Sequence, residues 1–405
     1  MRQARIQLWF LVLLAAMAVV PDRPAVADSL GEAPLTLSDI CPAGFAPDAA
    51  GDCRLVTLYR DYPSLQDHGM GGLKIGLPRI RDGFTPKEID LGRYLFFDPA
   101  LSADGNMSCA TCHQPNRGFS DGRARGRGDD GRELRRSTPS LWNVGLQRRF
   151  NWDARADSLE AQMEGPLFDP TEMANTPEQL LETLNGSAEY RRLFAEAYPE
   201  QAGKDITLDD VKHSIAAFQS SLVSLNSRYD YYAHGVHEAL TPEEIEGMNV
   251  FRSFVARCAE CHTPPLFTNE EVAVIGTPEP EGHPFDPGRE AVTGERSQRG
   301  GFKVPSLRNV SLTAPYMHSG RFQSLRDAVE FYTGGRGHAV PEGEKLYLHW
   351  HIWEPRLTAT ELDRLVDFLG ALEDQSFLPR TPDRVPSGLP LAHDTSGTLI
   401  EEKRP

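Results

Sequence analysis

The stretch Cys109-Ala110-Thr111-Cys112-His113 recurs in altered form as Cys258-Ala259-Glu260-Cys261-His262. Both have the Cys-x-x-Cys-His pattern of a c-type haem attachment site, in which two thiols bond the porphyrin and the histidine ligates the iron. A zinc site made from both copies is the alternative, but Cys112 and Cys258 lie 146 residues apart, far beyond the spacing within compact zinc modules. The two motifs therefore predict two covalently attached haems, with His113 and His262 as iron ligands.

The N-terminus has the order of a secretory signal peptide. Arg2 and Arg5 precede a 13-residue apolar run at positions 8–20, and Ala25-Val26-Ala27 follows it. We expect cleavage after Ala27; an uncleaved anchor is the alternative, although the run is shorter than the roughly 20 residues that a bilayer requires. No later segment is predicted to span a membrane.

The chain of 405 residues has a formal net charge of −16. Because residues 1–27 carry a net charge of +2, the exported remainder has a charge near −18. This acidity favours solubility and argues against general nucleic-acid binding.

Two cysteines, Cys41 and Cys53, do not belong to the haem motifs and lie close together in a segment rich in proline and glycine. In an oxidising compartment we expect them to form a disulfide, with free or metal-binding thiols as the alternative. The bridge would fasten a small N-terminal extension.

The rest of the pattern predicts a mainly α-helical protein. Thr-Pro-x-Glu/Gln sequences begin at Thr85, Thr176 and Thr241, and each has the residue types of a helix N-terminus. Apolar residues recur with the helical period, and the members of these stripes are Val211, Ile215, Phe218, Leu222, Leu362, Leu365, Val366 and Leu369. We interpret the stripes as packing faces.

An internal repeat indicates two tandem haem domains. Residues 139–144 match residues 305–310 at an offset of 166, and Arg155-x-x-Ser158-Leu159 matches Arg321-x-x-Ser324-Leu325 at the same offset. The haem motifs themselves are offset by 149, so the loop after the second motif is 17 residues longer. The predicted organisation is a signal peptide (1–27), an N-terminal extension (28–83), a first haem domain (84–236), a second haem domain (237–378) and a tail (379–405).

The shorter loop, from Arg117 to Arg136, contains seven arginines and four acidic residues. One interpretation is a flexible, solvated surface loop. The other is a positively charged rim near the haem, which binds propionates or an acidic partner surface.

The same register makes the two haem sites unequal. Tyr332 in the second copy stands where Pro166 stands in the first, and a tyrosine oxygen can ligate iron whereas proline has no side-chain donor. Trp152 corresponds to His318, and Gln162 to Ala328.

The chain resembles the bacterial di-haem cytochrome c peroxidase and MauG superfamily over nearly all of residues 84–375. The blocks that carry the resemblance are residues 109–113, 151–156, 169–173, 258–262 and 302–332. The resemblance implies that the first haem is the peroxide site and that the second supplies electrons or stores oxidising equivalents. Together with the predicted signal peptide, the resemblance to a bacterial family predicts a periplasmic location.

Three residues acquire catalytic roles from the resemblance. Trp152 matches a tryptophan between the haems that relays electrons, whereas a lone tryptophan would otherwise be read as core packing. Gln162 and Glu172 match the polar pair above the open haem, where a carboxylate can move a proton between the peroxide oxygens. For Glu172, a solvated or helix-capping role is the alternative.

Tyr332 matches the position at which the family places the distal ligand of the second haem, usually Met in peroxidases and Tyr in MauG-like members. An anionic oxygen ligand favours higher iron oxidation states. Met317 is the competing ligand.

The resemblance further implies a calcium ion between the haems, with Ser137, Thr313 and Pro315 at the matching positions. Ser137 replaces the family's Asn and offers a weaker oxygen ligand. His349 and His351 also resemble metal ligands, but their spacing does not require such a role, and surface or packing roles are favoured.

Two departures from the family affect function. No His occurs between His113 and His213, where typical cytochrome c peroxidases have one that closes the first iron at rest. We therefore expect a first site that accepts peroxide without prior reduction. MauG itself has a surface Trp two residues before the second motif, where this chain has Ala256, so the route to a donor or protein substrate is left open.

These features predict a di-haem peroxidase that reduces hydrogen peroxide with electrons from a small cytochrome c or a cupredoxin, relayed through the second haem. A MauG-like enzyme that oxidises Trp or Tyr residues of a partner protein through a high-valent di-haem state is the first alternative. A non-enzymatic di-haem electron carrier is the second.

Overall fold

The computed structural model describes residues 34–59, 76–334, 340, 342–352 and 355–391. The predicted signal peptide lies outside these residues, as does part of the predicted extension and tail. The described chain is mostly helical with little sheet, as predicted. Its α-helices are α1 (Pro86–Phe97), α2 (Cys109–Cys112), α3 (Leu159–Phe168), α4 (Pro177–Gly186), α5 (Ala188–Ala197), α6 (Leu208–Ser220), α7 (Arg228–Ala233), α8 (Pro242–Arg252), α9 (Cys258–Cys261), α10 (Glu290–Thr293), α11 (Leu325–Phe331) and α12 (Ala359–Gly370).

All three predicted Thr-Pro sequences begin helices. Thr85 and Thr241 cap α1 and α8 in full capping boxes, with Glu88 and Glu244 returning to the cap amide. Thr176 caps α4 by accepting from the amide of Gln179. Polar side chains at these ends satisfy amides that the helix itself leaves without partners.

The helices surround two main apolar cores. The first extends from Leu37 to Leu222 and also includes Val385, while the second extends from Tyr229 to Leu372. The predicted packing stripes lie in these cores: of their eight residues only Val366 is half-buried, and the others are buried. Ser387, near the C-terminal end of the described chain, donates to the buried carboxylate of Asp98 at 2.6 Å and so holds that end on the first core.

One closely packed helix pair supports each core. A Cβ at Gly92 of α1 would lie 1.8 Å from the Ser214 carbonyl oxygen on α6, and a Cβ at Gly247 of α8 would lie 1.8 Å from the Arg364 carbonyl oxygen on α12. Only glycine permits such an approach of two backbones. The same requirement therefore occurs once in each half of the chain.

Gly92 and Gly247 are 155 residues apart, whereas another pair of local structures recurs at the offset of 166. Asn143 and Asn309 both adopt left-handed backbone conformations, with φ of 61° and 58°. Each side chain then bridges to a distant backbone segment, Asn143 to Ser224 and Asn309 to Asp374, by accepting from one amide and donating to the carbonyl. Asparagine tolerates this conformation better than most residues.

Sheet structure in the described chain is limited to two antiparallel pairs. β1 (Phe45–Pro47) pairs with β2 (Cys53–Leu55), and β3 (Val272–Val274) pairs with β4 (Gly301–Lys303). The predicted disulfide between Cys41 and Cys53 is confirmed and joins β2 to the chain before β1. None of the described helices is long and apolar enough to cross a membrane.

Candidate haem sites and the connection between them

The first Cys-x-x-Cys-His motif forms a single helical turn, α2, and His113 ends it. The Nδ1 of His113 lies 2.9 Å from the Phe119 carbonyl oxygen, so Nδ1 carries the proton and donates. Burial lowers the pKa of His113. The imidazole is therefore held neutral, with its Nε2 lone pair available to a metal.

The second motif repeats this geometry in α9, which His262 ends. Its Nδ1 lies 3.1 Å from the carbonyl oxygens of both Phe267 and Pro305. Burial lowers the pKa of His262 as well. Phe119 and Phe267 present their carbonyls from left-handed backbone, with φ of 60° and 55°.

The cysteines of both motifs fit covalent haem attachment. Cys109, Cys112, Cys258 and Cys261 are all free of disulfides, and each pair lies within one helical turn beside its histidine. Neutral imidazoles oriented by a backbone carbonyl are the form in which histidine binds haem iron. The residues present therefore suit two c-type haems.

Gln162, Pro166 and Glu172 follow one another along α3 and the turn after it. Glu172 is half-buried, and the carbonyl of this residue accepts from the Asp129 amide at 3.0 Å, which ties it to the loop after the first motif. Burial and the nearby charge of Asp169 raise the pKa of the Glu172 carboxyl, although Arg155 opposes this effect. The carboxylate also interacts electrostatically with the Cys112 thiol, which places it on the side of the first motif.

Tyr332 follows the end of α11, as Pro166 lies near the end of α3. Both helices begin at a serine cap, Ser324 and Ser158, so the register inferred from the sequence extends through both helix starts. Burial, and then the neighbouring Cys258 and Cys261, raise the pKa of Tyr332 well above its usual value. Tyr332 therefore lies beside the second motif.

Trp152 lies where the two halves of the chain meet. Its Nε1–H donates to the Ser137 carbonyl at 2.9 Å, and its own carbonyl accepts from the Lys303 amide at 2.7 Å. The Ser137 amide in turn donates to the His318 carbonyl at 2.7 Å. Trp152 and His318, which correspond in register, thus both attach to Ser137.

His318 and the two loops after the motifs form a buried polar cluster that the sequence analysis did not anticipate. The His318 ring stacks on Phe302 with centroids 3.7 Å apart, and its Nε2 lies 2.9 Å from Glu279. Glu279 also pairs with Arg125 at 2.9 Å, and Arg136 pairs with both Asp153 and Asp286. Two arginines of the Arg117–Arg136 loop are therefore committed to internal ion pairs, contrary to a fully solvated loop.

The three predicted calcium positions have the following geometry. The Ser137 hydroxyl donates to the Met317 carbonyl at 2.9 Å, which brings it against the segment containing Thr313 and Pro315. Within the described chain, no hydrogen bond ends on the carbonyl of Thr313 or of Pro315. Two uncommitted carbonyls near a hydroxyl fit a calcium ion, which prefers oxygen ligands.

The structure also brings His349 and His351 to the second motif. Their ring nitrogens and the Cys261 sulfur all lie within 4.8 Å of one another, so the three residues could hold a metal ion. His351 Nε2 lies 2.7 Å from a Glu260 oxygen. Sequence spacing contains no sign of this approach, because about 90 residues separate the two segments.

The chain is similar to known di-haem proteins. The family described as di-haem cytochrome c peroxidase matches residues 86–238. The methylamine utilization protein MauG of Methylorubrum extorquens is 37% identical over 62% of this chain and 70% of its own length. The cytochrome c551 peroxidase of Nitrosomonas europaea is 34% identical over 61% of this chain and 73% of its own.

Two solved structures are similar over most of the chain. A MauG-like protein associated with microbial copper homeostasis has a TM-score of 0.69 and 33% identity, covering 76% of this chain and 97% of that one. The di-haem peroxidase BthA from Burkholderia thailandensis has a TM-score of 0.61 and 26% identity, covering 90% of this chain and 98% of that one. The chain is therefore a cytochrome c peroxidase-like oxidoreductase. It belongs to the di-haem cytochrome c peroxidase and MauG family.

Proposed function

We propose that the protein is a periplasmic peroxidase that reduces hydrogen peroxide at a haem held by Cys109, Cys112 and His113. The observation that carries the proposal is the difference between two corresponding helix ends. The first presents Pro166, which has no side-chain donor, while the second presents the hydroxyl of the half-buried Tyr332. One site is thus open to peroxide and the other is closed.

The proposal assigns the second haem to Cys258, Cys261 and His262, with Tyr332 as the distal ligand. When bound, each haem supplies an iron that accepts or donates single electrons. A phenolate in a buried position needs a neighbouring cation, because burial alone favours the neutral form. A bound ferric haem would supply that charge, and Met317 is the competing ligand.

Glu172 and Gln162 assist cleavage of the peroxide bond. A carboxylate in a partly desolvated position can take the proton from the near oxygen and return it to the departing one. The raised pKa of Glu172 brings its affinity for protons closer to that required for such a transfer. Gln162 is half-buried on α3 and orients the peroxide by hydrogen bonding.

Trp152 carries electrons between the two halves. Its indole N–H is anchored on Ser137 and its backbone on Lys303, so the ring is held from two directions. A fixed aromatic ring between two redox centres shortens the distance that an electron must cross. Reduction of one peroxide to two waters consumes two electrons and two protons, and both electrons pass this residue.

The domain organisation of the chain fits a first haem that reduces peroxide and a second haem that supplies electrons. We propose that residues 84–236 and 237–378 arose by duplication, supported by the paired Asn143 and Asn309 conformations and by the paired Gly92 and Gly247 contacts. The extension at residues 28–83, secured by the Cys41–Cys53 disulfide, and the tail at 379–405 flank these domains. A calcium ion at Ser137, Thr313 and Pro315 would stabilise the junction between them.

Electrons come from a small cytochrome c or a cupredoxin in the periplasm. The sequence supports export, and the acidic exported chain favours a partner with a basic surface. Hydrogen peroxide is the oxidant.

A MauG-like activity is the second candidate, in which the oxidised enzyme withdraws electrons from Trp or Tyr side chains of a protein substrate. Two observations favour it: the absence of His between His113 and His213, and the presence of Tyr332 rather than Met. The similarity to MauG of Methylorubrum extorquens and to the MauG-like copper-homeostasis protein points the same way. The names of the relatives favour either enzyme over a simple electron carrier.

Stoichiometric hydrogen peroxide added to the diferric holoprotein tests the proposal. We expect a spectral change without prior reduction, followed by turnover when a reduced small cytochrome c is supplied. A change that persists with the cytochrome but disappears on addition of a Trp-bearing protein substrate would favour the MauG-like activity. No reaction until one haem is reduced would contradict the open first site.

A further inference from the structure

We propose that Trp350 is the surface electron-transfer residue that connects the second haem with the protein partner. This proposal rests on the function proposed above. Among the tryptophans of the described chain, Trp350 alone is exposed, at 64%, whereas Trp142 is buried and Trp152 half-buried. A large aromatic ring at the surface is available for contact with a partner protein.

One residue, His351, connects Trp350 with the second haem motif. The centroid of its ring lies 3.5 Å from that of His351. The His351 ring lies close to the Cys261 sulfur, with a ring nitrogen within 4.8 Å, and its Nε2 lies 2.7 Å from Glu260. Glu260 and Cys261 belong to the motif itself, so a series of direct contacts connects the exposed indole with the attachment site.

Hydrogen bonds of the neighbouring histidines hold the segment that carries Trp350. The His349 and His351 rings lie towards the same side of the indole, with centroids 5.0 Å from each other and 6.1 and 3.5 Å from that of Trp350. The Nδ1 of His349 accepts from the His351 amide at 3.3 Å, and the Val274 carbonyl accepts from the His349 amide at 2.8 Å. These contacts fix the segment on β3, beside the second motif.

Metal binding at Cys261, His349 and His351 is the competing use of this cluster. In the haem-bearing protein the Cys261 sulfur is a thioether, which is a weaker ligand than a thiolate for most metal ions. His349 Nδ1 and His351 Nε2 have the partners described above, whereas the buried Nδ1 of His351 has none among the described residues. The thioether at Cys261 is therefore what disfavours a metal ion in this cluster.

The electron balance follows from the peroxidase reaction. Once peroxide has oxidised the second haem beyond the ferric state, Trp350 would give one electron inward to that haem and would be left as a one-electron-oxidised indole. The reduced partner then returns one electron to it. Two such transfers, with two protons from solvent, match the reduction of one hydrogen peroxide to two waters.

The Trp350→Phe variant of the holoprotein tests this assignment, with Tyr347→Phe as the matched control. Tyr347 is exposed at 54% in the same segment, but no ring contact joins it to His351. With a reduced small cytochrome c as the donor, we expect W350F to lower kcat about tenfold with KM unchanged, and Y347F to change neither. A rise in KM with kcat unchanged in W350F, or an equal decrease of kcat in W350F and Y347F, would overturn the assignment.

A second measurement does not depend on the peroxidase activity. Azide radicals generated by pulse radiolysis oxidise tryptophan selectively, and the resulting indole radical can oxidise a reduced second haem. We expect a fast phase of haem oxidation in the unmodified protein and in Y347F, with about tenfold smaller amplitude in W350F. If this fast phase is present but the protein does not react with peroxide, the proposed peroxidase function is wrong and Trp350 is still the surface electron-transfer residue. If the fast phase is unchanged in W350F, the assignment of Trp350 is wrong.

Discussion

The Trp152 indole donates a hydrogen bond of 2.9 Å to the carbonyl of Ser137, and the amide of the same Ser137 donates to the His318 carbonyl. One serine therefore joins the two residues that correspond in the internal register. Because Ser137 precedes the repeat of the first half and His318 belongs to the second, this contact spans the junction between the halves.

The Trp152→Phe variant should separate peroxide chemistry from electron supply. Phenylalanine keeps the aromatic ring but removes the N–H donor and is much harder to oxidise. We expect turnover with a reduced cytochrome c to fall about tenfold or more, while the first spectral change with stoichiometric peroxide is retained. Stopped-flow and steady-state measurements on one preparation check this, and equal loss in both would contradict a relay role.

The Glu172→Gln variant should slow the reaction with peroxide by about 10²- to 10⁴-fold, because the amide cannot accept a proton.

A neutral residue in place of the neighbouring Asp169 tests the role of Glu172 more finely. Asp169 raises the pKa of Glu172, so Asp169→Asn should lower it and move the acidic limb of the rate profile to lower pH. The asparagine retains an acceptor for the Thr171 amide, which limits structural change. An unshifted limb would indicate that another group takes the proton.

Tyr332→Phe should alter the second haem alone. Loss of the phenol oxygen would remove the proposed distal ligand, so we expect the low-spin signal of that haem in electron paramagnetic resonance to decrease. Tyr332→Met would supply a His/Met pair and raise the reduction potential. Tyr316→Phe is a suitable control, because Tyr316 is buried in the same half of the chain. A spectrum that changes in Met317→Leu and not in Tyr332→Phe would assign the ligand to Met317.

A buried ion pair in the second half provides a test of stability. Arg308 and Asp230 are both fully buried, and two Arg308 nitrogens lie 2.6 and 2.7 Å from the Asp230 oxygens. Asp230→Asn leaves the guanidinium charge without its counter-ion, so we expect the free energy of unfolding to fall by about 3–5 kcal/mol.

The matched control for this pair is Asp363→Asn, which removes a partly exposed partner of Arg326. We expect a decrease of about 0–1 kcal/mol. Urea denaturation of both variants checks the difference, and similar values for the two would contradict the role of burial.

Local structure was the part most accessible from sequence. Helix starts at Thr85, Thr176 and Thr241 follow from the capping preferences of Thr, Pro and Glu or Gln. The Cys41–Cys53 disulfide follows from proximity along the chain. The sequence interpretation was incomplete for the Arg117–Arg136 loop, because the acidic partners of Arg125 and Arg136 lie about 150 residues away at Glu279 and Asp286.

The sequence by itself determined the two Cys-x-x-Cys-His motifs, their histidines and the substitution of Tyr332 for Pro166, since each depends on residue type and local spacing. Only the tertiary structure decided that Trp152 and His318 share Ser137, and that Trp350 and His351 lie against the second motif. Such contacts join segments far apart in sequence, and their partners are selected by the packing of the whole chain rather than by any local pattern.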